Sequence, residues 1–241
     1  MEQSKRYLET PDYLLNPMHP ITVLVVGAGG SGSHLVEHLA NLSYAMKQLD
    51  HPGLHVTVMD DDVVQRHNIG RQAFTLHDIE KNKAVALVTR LNRNFGTNWI
   101  GIPKKFTYTE GGHNVVFGCV DSITSRKVIS KWFKATAKRN WDENKKYFYF
   151  DLGNSKDTGQ IIISNNARYG DFFEHFPNVQ DDKVKASCSM ADSLTRQDIN
   201  INRLMALHAS NLFWKMFRKG KLDCCGLYIN ASNNQIAEIP T

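Results

Sequence analysis

Two kinds of residue in this sequence are spaced for work on a phosphate. The first are glycines: Ile21-Thr-Val-Leu-Val-Val-Gly27-Ala-Gly29-Gly30-Ser31-Gly32-Ser33 runs an uncharged aliphatic segment into a glycine-rich turn. Gly27, Gly29 and Gly32 let the main chain approach a phosphate where a Cβ would intrude, and the N–H groups opening the next helix present the positive end of its dipole. The second are charged groups downstream. Asp60 closes Leu54-His-Val-Thr-Val-Met-Asp60, the place where a nucleotide-binding α/β sheet puts a carboxylate for ribose hydroxyls; the plainer alternative is that Asp60, Asp61 and Asp62 cap a turn. Arg71 and Lys83 projecting over the glycine turn would neutralise a triphosphate, one as a fork and one as a point charge, although Lys83 alone reads as an exposed helix lysine. Asp121, in Cys119-Val-Asp121-Ser-Ile-Thr-Ser-Arg126, suits Mg²⁺, which takes a protein oxygen or two plus phosphate oxygens, or else caps a helix. Arg126 either pairs with an acid near the site or is an exposed first-turn arginine.

The elements that must position these groups follow from periodicity. Leu35, Leu39, Leu42, Met46 and Leu49 lie on one helical face behind the glycines, so 21–49 reads as strand, turn, helix. A second strand ends at Asp60, and a helix beginning near Asp78 carries Ala84, Leu87, Val88, Leu91 and Phe95. Trp99–Ile102, Asn114–Asp121 and Tyr147–Gly153 read as further strands, with Val128, Ile129, Trp132 and Phe133 marking the helix between the last two. Strands alternating with helices predict a Rossmann-like, mainly parallel sheet whose carboxyl ends share one edge, bringing Gly27, Asp60 and Asp121 together. Beyond it, Gln160–Ser164 reads as a strand, Asn165–Ser189 as a polar crossover loop, about 192–218 as a long helix, and Cys225–Asn230 with Gln235–Ile239 as a terminal hairpin. The expected organisation is an N-terminal arm over 1–20, punctuated by Pro11, Pro17 and Pro20, then one domain over 21–241 in which 21–165 binds nucleotide and 166–241 supplies the loop, helix and hairpin.

At 241 residues the chain can bury a sizeable core. Its net charge of +5 is dispersed, so nucleic acid is not expected as a partner. No apolar run approaches a membrane span and no leader-like segment opens the chain, so the expected location is cytoplasmic, with no membrane partner. The four cysteines form no C-x-x-C pair, and neither zinc nor a disulfide framework is expected.

Taken in order, Gly27-x-Gly29-Gly30-x-Gly32-Ser33, Asp60-x-Asp62, Asn68-x-x-Arg71-Gln72, Asp78-Ile-x-Lys81-x-Lys83-Ala84 and Cys119-x-Asp121 with Arg126 resemble the ThiF/MoeB/HesA superfamily, the adenylating fold of ubiquitin-activating enzymes. The resemblance is strongest over about 21–165. It implies ATP- and Mg²⁺-dependent adenylation of the C-terminal carboxylate of a small ubiquitin-like protein. By matching position it gives Asp60 the ribose, Asn68, Arg71 and Lys83 the phosphates and Asp121 the metal, and places Gly30, Ser33, Asp62 and Gln72 in the nucleotide site. Ser187-Cys188-Ser189, followed by Gln197-Asp-Ile-Asn-Ile-Asn202 and the long helix, is similar to the ThiF-type protein of bacterial PRTRC systems. The family's paired C-x-x-C motifs are missing, and its N-terminal R-Y-x-R-Q segment is not reproduced by Arg6-Tyr-Leu-Glu-Thr; a homodimer stays open.

Cys188 is the candidate acyl acceptor for a thioester step: it sits in a polar stretch near Lys183 and Lys185, whereas Cys119 lies in an apolar strand and Cys224-Cys225 begin another. The alternatives are an inert cysteine before a helix and an enzyme that stops at the adenylate. Two other functions use the same glycines: an NAD- or FAD-dependent oxidoreductase, which Arg71-Gln72 and Lys83 argue against, and a non-catalytic nucleotide-binding scaffold, which Asp121 and Arg71 weigh against.

Overall fold

A computed structural model of the chain describes residues 7–107, 112–139, 147–165, 172–178 and 197–241. The uncharged run behind the glycine turn is the central strand β2 (Ile21–Val26), preceded by the short β1 (Leu8–Glu9) and α1 (Asp12–Leu15). β2 pairs in parallel with β3 (Leu54–Met59) on one side and β5 (Val115–Gly118) on the other; β4 (Ile100–Ile102) extends the sheet beyond β3, and β6 (Phe148–Asn154) beyond β5, all parallel. From β6 outward the sheet turns antiparallel through β7 (Thr158–Asn165), β9 (Cys224–Asn230) and β10 (Gln235–Pro240), giving the order β10-β9-β7-β6-β5-β2-β3-β4. The short β8 (Lys221–Leu222) stands outside it and pairs with β1. The parallel expectation thus holds from β2 to β6, while β7, also within 21–165, pairs antiparallel. β6 and β7, and β9 and β10, are each joined by a short turn, the connection that antiparallel neighbours allow.

Side chains alternate across β2, so the two faces take different helices. Val23 and Val25 face α2 (Gly30–Lys47), α3 (Lys83–Phe95) and α6 (Ile201–Lys219), in a core that includes Leu35, Leu39, Leu87, Met205 and Phe213. Leu24 and Val26 face α4 (Ile123–Arg139) through Ile129, Trp132 and Phe133. Phe213 meets Phe117 edge-on at 5.6 Å, fixing α6 against the sheet.

Four boundaries differ from expectation. α3 begins at Lys83 because Asn82 caps it, accepting from the Val85 N–H; Asp78 instead closes a short turn, accepting from Thr75 and pairing with Arg90. α6 begins at Ile201, residues 197–200 forming a turn before it, and its outward-facing Leu207 is exposed. Within the expected crossover loop, Phe172–His175 forms a single helical turn, α5, seated by Phe172 against Ile162 and Cys225. The described part of the N-terminal arm reaches the core: Leu8 and Leu14 are fully buried, and the Thr10 N–H donates to Gly220 O. Removing the Leu14 side chain should therefore cost about 2–4 kcal/mol; denaturant unfolding of Leu14→Ala measures this, and an unchanged midpoint would mean that the arm only rests on the surface.

Candidate nucleotide site

The glycine turn is built by three different constraints. Gly27 has φ +93°, open to glycine at little cost, and a Cβ there would sit 2.6 Å from Cys119 O. Gly32 packs directly on Gly27 O, and Gly30 on the Asn202 side chain, so a Cβ at either would collide. Gly29 alone of the four has nothing within 4 Å of where a Cβ would lie. It is also the residue from which α2 starts, and helix-opening N–H groups have no partner four residues back. The open side of the turn therefore leaves room beside helix-opening N–H groups that suit an anion, while its other three glycines are set by packing within the protein.

Asp60 locks this turn to the end of β3. Its Oδ2 accepts the Ala28 N–H at 2.6 Å and its Oδ1 the Asp62 N–H at 2.8 Å. Burial pushes its carboxyl above the usual range, against the pull of those N–H groups and of Lys83. Asn82 ties the next loop down by donating to the main-chain oxygens of Asp60 and Asp62. Lys83, expected as a free cation, is buried and bonded to Asp62 Oδ2 at 2.7 Å. Asp60, Asp61 and Asp62 bring carboxylate oxygens within 4.8 Å of one another.

Arg71 is different. Its Nη1 donates to the neutral Gln197 Oε1 at 2.6 Å, its buried Nε has no hydrogen-bond partner, and no carboxylate among the described residues pairs with it. Burial lowers its pKa. A half-buried guanidinium with an idle donor and no carboxylate partner among the described residues has the chemistry to receive an anion. Around it, Asn68 is buried and accepts the Gln65 N–H, Gln72 carries a buried side-chain oxygen with no partner, and Ser33 Oγ accepts the Ala73 N–H, clasping this loop to α2.

Asp121 lies past the end of β5, exposed, with no hydrogen-bond partner among the described residues. The capping alternative fails, because Ser122 Oγ accepts the Ser125 N–H at the start of α4. An exposed carboxylate on the same sheet edge as Gly27 and Asp60 fits the oxygen donors that Mg²⁺ prefers. Arg126 is neither exposed nor free: it forms a buried pair with Asp151 at 2.9 Å, and Tyr149 O–H donates to the other oxygen of Asp151. Asp151 was not singled out by motif; its signal was a lone carboxylate inside an apolar strand, which demands a buried partner. Gln197 and Asn202 stood in a quoted motif without a role. Cys188 lies outside the described residues.

A cleft of about 790 Å³ lies beside this site, between His34, Glu37 and His38 of α2, the first turns of α6 and the turns around Asp157 and Ser232. None of the glycines, Asp60, Lys83 or Asp121 lines it. No helix among the described residues is long and apolar enough to cross a membrane.

A sequence-family profile described as "ThiF family" matches residues 11–232. Among characterised proteins, "Adenylyltransferase and sulfurtransferase UBA4" from Yarrowia lipolytica is 30% identical over 116 residues, which is 45% of this chain and 26% of that protein. "ATP-dependent ubiquitin transferase-like protein Cap2" from Enterobacter hormaechei is 33% identical over 86 residues, 36% of this chain and 13% of that protein. The matched stretches thus span about a quarter or less of these relatives. Among solved structures, E. coli MccB with ATP superposes with a TM-score of 0.64 at 16% identity, covering 95% of this chain and 65% of that one. PaaA gives 0.61 at 17%, covering 91% and 64%.

The steric division among the glycines is measurable. Gly32→Ala should destabilise by about 1–3 kcal/mol or more, whereas Gly29→Ala should cost less than about 1 kcal/mol while weakening nucleotide binding. Thermal melts with and without ATP decide it; equal destabilisation by both would contradict that division.

Proposed function

The chain belongs to the ThiF family, and on that premise we propose that it binds ATP over the Gly27–Gly32 turn and adenylates the C-terminal carboxylate of a small protein, ubiquitin-like in type. The observation that carries this reading is Arg71, a half-buried cation with no carboxylate partner among the described residues, tied through Gln197 and Asn202 to the glycine turn. A dinucleotide cofactor would fill the glycine turn but give Arg71 and Lys83 together less to do; a triphosphate uses both.

In this reading Asp60 receives the ribose hydroxyls with the lone pairs its backbone bonds leave free, and the α2 N-terminus and Gly29 face the phosphates. Arg71 takes the distal phosphates, with Asn68 and Gln72 supplying amide groups beside it. Lys83 reaches the phosphates by sharing its ammonium between them and Asp62. Mg²⁺, held by Asp121, would supply charge neutralisation on the phosphate oxygens. A carboxylate oxygen of the acceptor protein attacks the α-phosphorus, the bond to the bridging oxygen of pyrophosphate breaks, and an acyl-adenylate and pyrophosphate result. The protein's share is positioning and fixed charge.

A thioester step would follow at Cys188, whose thiolate attacks the acyl carbonyl and expels AMP. What supports Cys188 over the others is their chemistry: burial pushes the Cys119 and Cys224 thiols up and Cys225 to about 11, leaving little thiolate at neutral pH. Native alkylation at pH 7.5 should therefore label Cys188 first and the other three only as pH rises; labelling of Cys119 or Cys225 ahead of Cys188 would move the acceptor role away from it.

Nucleotide variants test the site. Arg71→Ala should weaken ATP by about tenfold or more while changing AMP little, since a hydrogen-bonded charge to the distal phosphates is what is lost. Asp121→Ala should abolish the Mg²⁺ dependence of ATP binding without shifting the melting point of the free protein. Equal losses for ATP and AMP, or a larger thermal shift with NAD than with ATP, would overturn the assignment.

A further inference from the structure

We propose that Gln197, backed by Asn202, is a positioning residue for Arg71: a neutral amide brace that fixes the guanidinium without consuming its charge. The inference rests on the reading of Arg71 as a phosphate-binding group. Gln197 Oε1 accepts from Arg71 Nη1 at 2.6 Å and from Asn202 Nδ2 at 3.3 Å. Asn202 Oδ1 in turn accepts from Ser31 Oγ at 3.2 Å and from Asn154 Nδ2 at 3.4 Å. The brace thus joins Arg71 to the first turn of α6, the first turn of α2 and the end of β6, and no member of it is ionised.

That neutrality is the point of the arrangement. A carboxylate in place of the Gln197 amide would hold Arg71 more tightly, because charge-assisted bonds are the stronger ones, but it would compete with an incoming anion for the same donors. An amide oxygen orients the fork and leaves the net charge to the ligand. The main chain beneath is held as well: Arg71 O meets His34 Nε2 at 3.2 Å, and Gly70 O accepts from Arg203 Nη2 at 3.0 Å. Preorganisation of this kind lowers the ordering cost when the anion arrives.

Gly30 belongs to the same device. Any side chain there would run into Asn202, so Gly30 is glycine to admit the brace, whereas Gly29 is glycine on the ligand side. The two glycines have separate reasons, and a double-mutant cycle separates them.

The test has a part that needs no ligand. In the full chain without nucleotide, the ¹⁵N-labelled Arg71 Nε–Hε resonance should be resolved and rigid in the wild type and in Gln197→Glu, and averaged in Gln197→Ala. With ATP and AMP as probes, Gln197→Ala should lose about tenfold for ATP, and Gln197→Glu at least as much although Arg71 stays ordered, with AMP little changed in both. Gly30→Ala should impair ATP binding in the wild-type background and add nothing in Asn202→Ala. A rigid Arg71 in Gln197→Ala, or a Gly30→Ala penalty that persists in Asn202→Ala, overturns the brace whatever the nucleotide result. Ordering that follows this pattern while wild type binds no ATP supports the brace and overturns the nucleotide reading instead.

Discussion

The arrangement of this site depends on a guanidinium that is half-buried and has no carboxylate partner among the described residues. Other buried cations in the described chain have a carboxylate partner: Arg126 with Asp151, Lys83 with Asp62, Arg90 with Asp78. Arg71 has an amide and an idle Nε. Desolvating a cation this way is unfavourable unless a bound anion recovers it, so the loop that carries Arg71 has to be held by other means. It is clasped from α2 by Ser33 and His34, from α6 by Arg203 and from the turn before α6 by Gln197.

Seen from that constraint, the two halves of the sheet have distinct duties. The parallel half, β6-β5-β2-β3-β4, gathers Gly29, Asp60 and Asp121 on one edge, as right-handed crossovers oblige. The antiparallel half anchors α6, whose first turn reaches back over the glycine loop through Asn202. The long-range contacts at the turn are therefore between residues far apart in sequence, and the turn's shape is fixed by the whole fold rather than by the turn alone.

Much of this was legible in the sequence because it is periodic. The alternation in β2 and the helical spacing in α2 are local patterns that tertiary packing reinforces, and strand ends in a parallel sheet fall on one edge by topology. What sequence could not show was pairing. Nothing in Asp78-Ile-Glu-Lys-Asn-Lys83 says that Asn82 rather than Asp78 caps the helix, or that Asp62 occupies Lys83, because each depends on how the loop after β3 closes. Likewise Arg126 and Asp151 come from adjacent elements of the fold but from distant sequence. Leu8 and Leu14 were hidden among prolines and polar residues, where two leucines give no period to read.

The reading of the site as an adenylation centre comes down to one bond, that between the α- and β-phosphates. Isotope exchange between labelled pyrophosphate and ATP, run with Mg²⁺ and small candidate proteins encoded beside this gene, observes that bond being broken and remade. Exchange should require a free C-terminal carboxylate on the added protein and vanish when that terminus is amidated. Exchange that survives amidation, or release of ADP and phosphate in its place, would contradict attack by a carboxylate on the α-phosphorus.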